Sequence, residues 1–118
     1  MSRIALFAAG LLATLALAAP LGAATSVTKL TGTVGPGFTI TLKKGTAKVK
    51  TLKPGSYKIT VNDKSNIHDF HLTGPGVNKM ITTISFKGTK SVTVKLKKGK
   101  YTYRCDPHPT MVGHFTVK

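Results

Sequence analysis

From residue 26 onward, apolar and polar positions alternate with a period of two. Val27-Thr28-Lys29-Leu30, Phe38-Thr39-Ile40-Thr41-Leu42, Tyr57-Lys58-Ile59-Thr60-Val61, Val92-Thr93-Val94-Lys95-Leu96 and Tyr101-Thr102-Tyr103 each set β-branched or aromatic residues against threonine or lysine. That is the pattern of a strand with one buried and one wet face. Ile67 to Leu72, Ile81 to Phe86 and His114 to Val117 read the same way. Between these runs stand Gly35-Pro36-Gly37, Lys43-Lys44-Gly45, Lys53-Pro54-Gly55, Gly74-Pro75-Gly76 and Lys98-Gly99-Lys100, all turn-forming. About seven or eight short strands with frequent turns predict an all-β fold, an antiparallel sandwich or barrel. The only helix expected is a single turn over Gly76 to Met80.

The first 24 residues break this pattern. Arg3 is followed by Ile4-Ala5-Leu6-Phe7-Ala8-Ala9 and Leu11-Leu12-Ala13-Thr14-Leu15-Ala16-Leu17, ending in the small residues Gly22-Ala23-Ala24. This layout predicts a cleaved signal peptide over 1–24 and one exported domain over 25–118, periplasmic or extracellular. The apolar run is short for a membrane span and no basic stop follows it, so no transmembrane anchor is expected.

Charge and cysteine usage narrow the function. The chain has 18 Lys and Arg against 3 Asp and Glu, leaving about +14 once Arg3 is removed with the leader. Such a balance suits acidic partner proteins or anionic surfaces. Nucleic acid is not expected, because no stacking aromatics are interleaved with the basic residues. With one cysteine, Cys105 has no internal disulfide partner and is inert, reactive or a metal ligand.

Its neighbours favour the metal. Cys105-Asp106-Pro107-His108-Pro109-Thr110-Met111 puts a thiolate, an imidazole and a thioether within seven positions between two expected strands. Thiolate and imidazole with a long, weak methionine bond is the donor set of blue-copper electron-transfer sites, which needs one more histidine. His68, on the apolar side of the segment Asn66 to Leu72, can supply it. Pro107 and Pro109 restrict the backbone on both sides of His108. His71 and His114 read as surface residues.

With these residues the segment 27–118 resembles the cupredoxins. Its short loop is similar to those of amicyanin and pseudoazurin, and more distantly to that of plastocyanin. The resemblance implies a Greek-key β-sandwich holding one copper ion, with His68 as first ligand, Cys105 as thiolate, His108 as the solvent-edge ligand and Met111 as axial ligand. It further implies a monomer that cycles between Cu(I) and Cu(II) and passes electrons to redox partner proteins, with acidic docking surfaces expected on them. The edge of His108 should lie among Pro36, Pro107, Pro109, Met111 and Val112, with lysines further out. One position departs from the pattern: where the family commonly has Asn after the first histidine, this chain has Asp69. An ionised carboxylate does not donate, but the Asp69 backbone N–H remains available to the Cys105 sulfur.

A copper carrier or buffer using the same ligands is the alternative. An enzyme is not expected: three residues of separation in a proline-restricted turn do not build a Cys–His nucleophile with its orienting third group. A closed zinc site is disfavoured by methionine in the fourth place.

Overall fold

Alternation becomes architecture through burial. The computed structural model describes residues 26–118, so the signal peptide expected over 1–24 lies outside the described residues. Ten strands follow one another: β1 Thr28–Val34, β2 Ile40–Lys44, β3 Ala47–Lys48, β4 Thr51–Leu52, β5 Gly55–Asp63, β6 Phe70–Gly74, β7 Val77–Thr82, β8 Gly88–Leu96, β9 Gly99–Cys105 and β10 His108–Val117. In β5, Tyr57, Ile59, Val61 and Asp63 are buried while Lys58 and Asn62 are exposed. In β9, Tyr101, Tyr103 and Cys105 point inward and Arg104 points out.

The strands form two five-stranded sheets, ordered β3-β2-β1-β5-β8 and β4-β10-β9-β6-β7. Most neighbours are antiparallel, but β1 pairs with β5 and β10 with β4 in parallel. Leu30, Val34, Leu42, Ile59, Val61 and Leu96 of the first sheet meet Phe70, Leu72, Tyr101, Tyr103, Phe115 and Val117 of the second in one core. Two stacked aromatic pairs stiffen the second sheet's inner face: Phe70 with Tyr103 at 5.6 Å and Tyr101 with Phe115 at 5.1 Å between ring centroids. Such pairs each add about 0.5–1.5 kcal/mol beyond the area they bury.

The all-β sandwich expected from the sequence is the fold observed. Several boundaries differ. The helical turn expected over 76–80 is the start of β7, because Gly76 takes φ 69° and closes a hairpin that pairs Thr73 with Asn78 and Leu72 with Lys79. The short strands β3 and β4 were not expected, since two residues are too few to show a period. The run Ile81 to Phe86 ends as strand at Thr82. His68 precedes β6 rather than lying within it, and the alternation fails there, with His68, Asp69 and Phe70 all buried.

Strand direction sorts the turns into two ends. Val34, Asp63, Thr82 and Cys105 are the last residues of β1, β5, β7 and β9, and all four point to the same end. The loop after β5 and the β9–β10 turn with its flanking residues carry the residues singled out for metal, and the loop after β1 lies beside them. Gly113 lets β10 cross the sheet: a Cβ there would lie 2.1 Å from the Tyr103 ring. The opposite end is pinned by Tyr101, whose hydroxyl accepts from Lys97 N–H at 2.9 Å and lies 2.9 Å from Lys97 O and 3.2 Å from Pro75 O. Replacing Tyr101 with Phe should therefore cost about 1–3 kcal/mol by orphaning the Lys97 amide, measured by urea denaturation. The metal-loaded spectrum should not change, because the hydroxyl is at the far end.

Candidate metal centre

Three loops converge at one end of the sandwich, and each is locally determined. After β5, Asp63 Oδ1 accepts the Ser65 N–H at 3.1 Å and Ser65 Oγ accepts the Ile67 N–H at 3.3 Å, so two successive side-chain turns deliver His68. Lys64 N–H donates to Val34 O at 2.9 Å, tying this loop to the end of β1. Beside it Gly35 takes φ 72°, and a Cβ there would come 3.1 Å from His68 Cδ2, so this position favours glycine on both counts. After β9, the tight Asp106-Pro107 turn pairs His108 back against Cys105, and an irregularity in the β9–β10 register between His108 and Val112 gives Met111 its place.

The structure brings these donors together. His68 Nδ1 lies 3.0 Å from His108 Nδ1, and Cys105 Sγ lies 3.6 Å from each. His68 and Cys105 are fully buried, Met111 is buried, and His108 is half-buried. A point equidistant from the three atoms of that triangle lies about 2.0 Å from each, the length of a metal–imidazole bond. The donor set therefore fits a single ion. His68 Nε2 is buried without a partner, a loss that a bond from Nδ1 to a metal would offset.

The surroundings act on the thiol in opposite senses. Burial pushes the Cys105 thiol up, while backbone N–H groups of Asp69 and His108 pull it down. The Asp69 N–H donates to Sγ at 3.4 Å. Asp69 also bridges the two ligand loops, in the acceptor sense open to an ionised carboxylate: its Oδ1 takes the Asp106 N–H at 2.7 Å. Burial raises the Asp69 carboxyl, and the Asp106 N–H counters it.

Two features were missed in the sequence. Phe38, read as a strand residue, sits in the loop after β1, two-thirds exposed, with its ring edge-on to both imidazoles at 5.5 Å from His68 and 5.0 Å from His108. An aromatic immediately after Gly35-Pro36-Gly37 was the available signal. His71, read as a free surface histidine, is half-buried: its Nδ1 lies 2.9 Å from Asp106 Oδ2, and Arg104 Nε donates to Asp106 Oδ1 at 3.0 Å. His114 is exposed, on Thr102 Oγ1 at 3.0 Å, and takes no place among the donors. Of the apolar residues expected around His108, Pro36, Pro107, Pro109 and Val112 are exposed at this end, joined by Phe38 and Ile67, whereas Met111 is buried; Lys64 and Lys87 are the lysines on its loops.

The His71–Asp106 pair gives a pH signature. Burial alone would lower His71, but its contacts with Asn78 and Asp106 outweigh this and raise it above 6.5. Burial would likewise raise Asp106, yet His71 and Arg104 hold it below 3.8. The histidine's share of stability is complete below 6.5 and is lost as pH rises through its higher folded value; the carboxylate's is complete above 3.8 and is lost as pH falls through its lower one. In the metal-free protein, His71→Gln should lower the urea midpoint at pH 5.5 and do so less at pH 8.5. An equal loss at both values would mean that packing rather than the ion pair sets the effect.

Comparison with known proteins agrees with this geometry. Solved structures similar to the chain include reduced rusticyanin, 23% identical with a TM-score of 0.53, covering 76% of this chain and 78% of that one. A rusticyanin with a methionine-to-glutamine substitution is 20% identical, with a TM-score of 0.55 and 76% of both chains covered. An amicyanin variant is 16% identical at a TM-score of 0.49, covering 75% of this chain and 80% of that one. No curated protein sequence matches the chain. The family described as copper binding proteins, plastocyanin/azurin family, matches residues 36–118, which include every donor named above. The chain belongs to the plastocyanin/azurin family of copper-binding proteins.

Proposed function

We propose that this chain is an exported blue copper protein that carries single electrons between partner proteins. His68 Nδ1, Cys105 Sγ and His108 Nδ1 would hold one copper ion, with Met111 as the fourth ligand. The observation that carries the reading is the triangle of two imidazole nitrogens and one thiol, closed to 3.0 and 3.6 Å within a buried pocket. Copper bound there would supply a reversible one-electron couple between Cu(I) and Cu(II).

The remaining work is done by the protein. Metal binding requires the thiolate, which burial opposes; a bound ion and the Asp69 and His108 N–H groups would together stabilise it, with the thiol proton released to solvent. His68, seated against Gly35 and backed by the sandwich, has little room to rearrange, which would suit a metal whose charge changes. Its burial keeps water from the inner side of the site. His108 is the half-buried ligand, and Phe38, Pro107, Pro109 and Val112 give its side of the domain an apolar surface. A partner can approach such a surface without stripping water from charges, and the contact should be small and short-lived.

A visible spectrum of the copper-loaded protein tests the assignment. An intense thiolate-to-copper band is expected; Cys105→Ser should abolish it, and a colourless copper complex of the unsubstituted protein overturns the reading. Met111→Leu should keep the colour and raise the reduction potential, by roughly 60 mV for each tenfold of lost preference for the oxidised ion. An unchanged potential removes Met111 from the ligand set. A copper carrier or buffer would lose metal during redox cycling, which repeated voltammetric sweeps would reveal.

The docking face has its own test. Phe38→Asp and Pro109→Asp should each slow electron exchange roughly tenfold at every salt concentration, because an unpaired charge must be desolvated on contact. Potential and colour should hardly change. If neither variant slows exchange, electrons leave by another surface.

A further inference from the structure

The charge of this protein is sorted along its long axis. At the end opposite the metal loops lie the turns Gly45-Thr46, Lys53-Pro54, Pro75-Gly76 and Lys97-Lys98, and the carboxy-terminal residue. Lys44, Lys53, Lys97, Lys98, Lys100 and Lys118 are all exposed there. The three acidic residues, Asp63, Asp69 and Asp106, are all at the metal end. The basic pole is thus roughly 20 Å from the Cys105 thiol, six strand rises along β9.

The shape and chain path of that pole add two further observations. A cleft of about 740 Å³ opens there, lined by Lys44, Lys53 and Lys118 together with Ser26 and Thr28. The chain enters the fold at this cleft, through Ser26 and Thr28. Among the described residues, the large apolar side chains exposed to solvent are Val27, Phe38, Ile67, Met80, Ile84 and Val112, and of these Val27 alone lies at the basic end.

We propose that the lysine pole seats the domain on an anionic phospholipid surface, with the metal end facing away from the bilayer. The composition of the pole selects this partner. A protein interface is anchored by buried aromatic and arginine side chains, and single-stranded nucleic acid by stacking aromatics; neither is exposed at this end. A layer of anionic headgroups needs neither, because it attracts hydrated lysine ammonium groups through a diffuse field, each adding about fivefold to binding. Seating by this end leaves the apolar face around His108 free for exchange with soluble partners. The inference concerns attachment alone, so its failure would leave the copper assignment untouched.

The test uses the chain from Thr25 to Lys118, which contains all ten strands and the whole core. Sedimentation with phosphatidylcholine vesicles, with and without about one-third phosphatidylglycerol, measures binding at low salt. Binding to the anionic vesicles alone is expected, with release as sodium chloride approaches 0.5 M and screening shortens the field. Replacing Lys53, Lys97, Lys98 and Lys100 with Gln should weaken binding at least tenfold. Lys64→Gln with Lys87→Gln, at the metal end, should change it less than twofold. No binding to anionic vesicles, or an equal loss from the two sets of substitutions, overturns the proposal. Tighter binding to soluble polyglutamate than to vesicles of matched charge would also overturn it, and would identify an acidic polypeptide as the partner.

Discussion

Two imidazole nitrogens and a thiol held within 3.6 Å of one another are the constraint on which this structure depends. Such atoms do not gather by preference: their lone pairs repel, the thiol resists ionisation when buried, and His68 keeps one ring nitrogen without a partner. The fold supplies the confinement. Cys105 and His108 are paired across a tight turn between β9 and β10, while His68 arrives from a different loop held by side-chain turns from Asp63 and Ser65. Asp69 closes the arrangement, giving its N–H to the sulfur and its carboxylate to the Asp106 N–H. Two loops far apart in sequence are thus locked to one another by the protein's own hydrogen bonds, which orient the donors.

Asp69 shows how a side chain that breaks a family pattern can still fill the structural role. Asparagine can donate or accept, whereas an ionised aspartate only accepts. The bridge between the loops survives because its partner in this chain is a backbone N–H, for which an acceptor suffices. The carboxylate is buried beside the thiol, so it adds negative charge where Cys105 must also become negative. That cost is shared with the Asp106, His71 and Arg104 cluster on the outer side of the same loop. His71 and Arg104 offset the acidic charge that Asp106 places next to Cys105.

Much of this was legible in the sequence because its signals are periodic or local. Alternation along residues 57–61 and 101–103 follows directly from the pleat, and seven consecutive positions from Cys105 to Met111 contain three of the four proposed ligands. His68 was legible as a candidate ligand but not in its setting. Alternation extended through it predicted a strand, and the requirement that Asp69 face the sulfur overrode that pattern. Phe38 and His71 escaped notice for a related reason: their roles come from contacts between loops that only the folded sandwich brings together. The strands β3 and β4 were invisible because two residues carry no period.

The distribution of lysine is the other property that no count could reveal. A total near +14 says nothing about direction, and the expectation was an apolar surround of His108 with lysines further out. The folded chain places most of its turn lysines elsewhere, because the loop after β1 and the β9–β10 turn carry none and the loop after β5 carries Lys64 alone. The lysines cluster in the turns at the opposite end. Metal loops are constrained by packing against the donors, where a lysine would add like charge beside a copper ion, whereas the far turns carry no such restriction. Separation of this kind leaves the proposed electron-exchange face apolar and places the lysine pole about 20 Å away, so one small sandwich would present an apolar contact to one neighbour and a charged one to another.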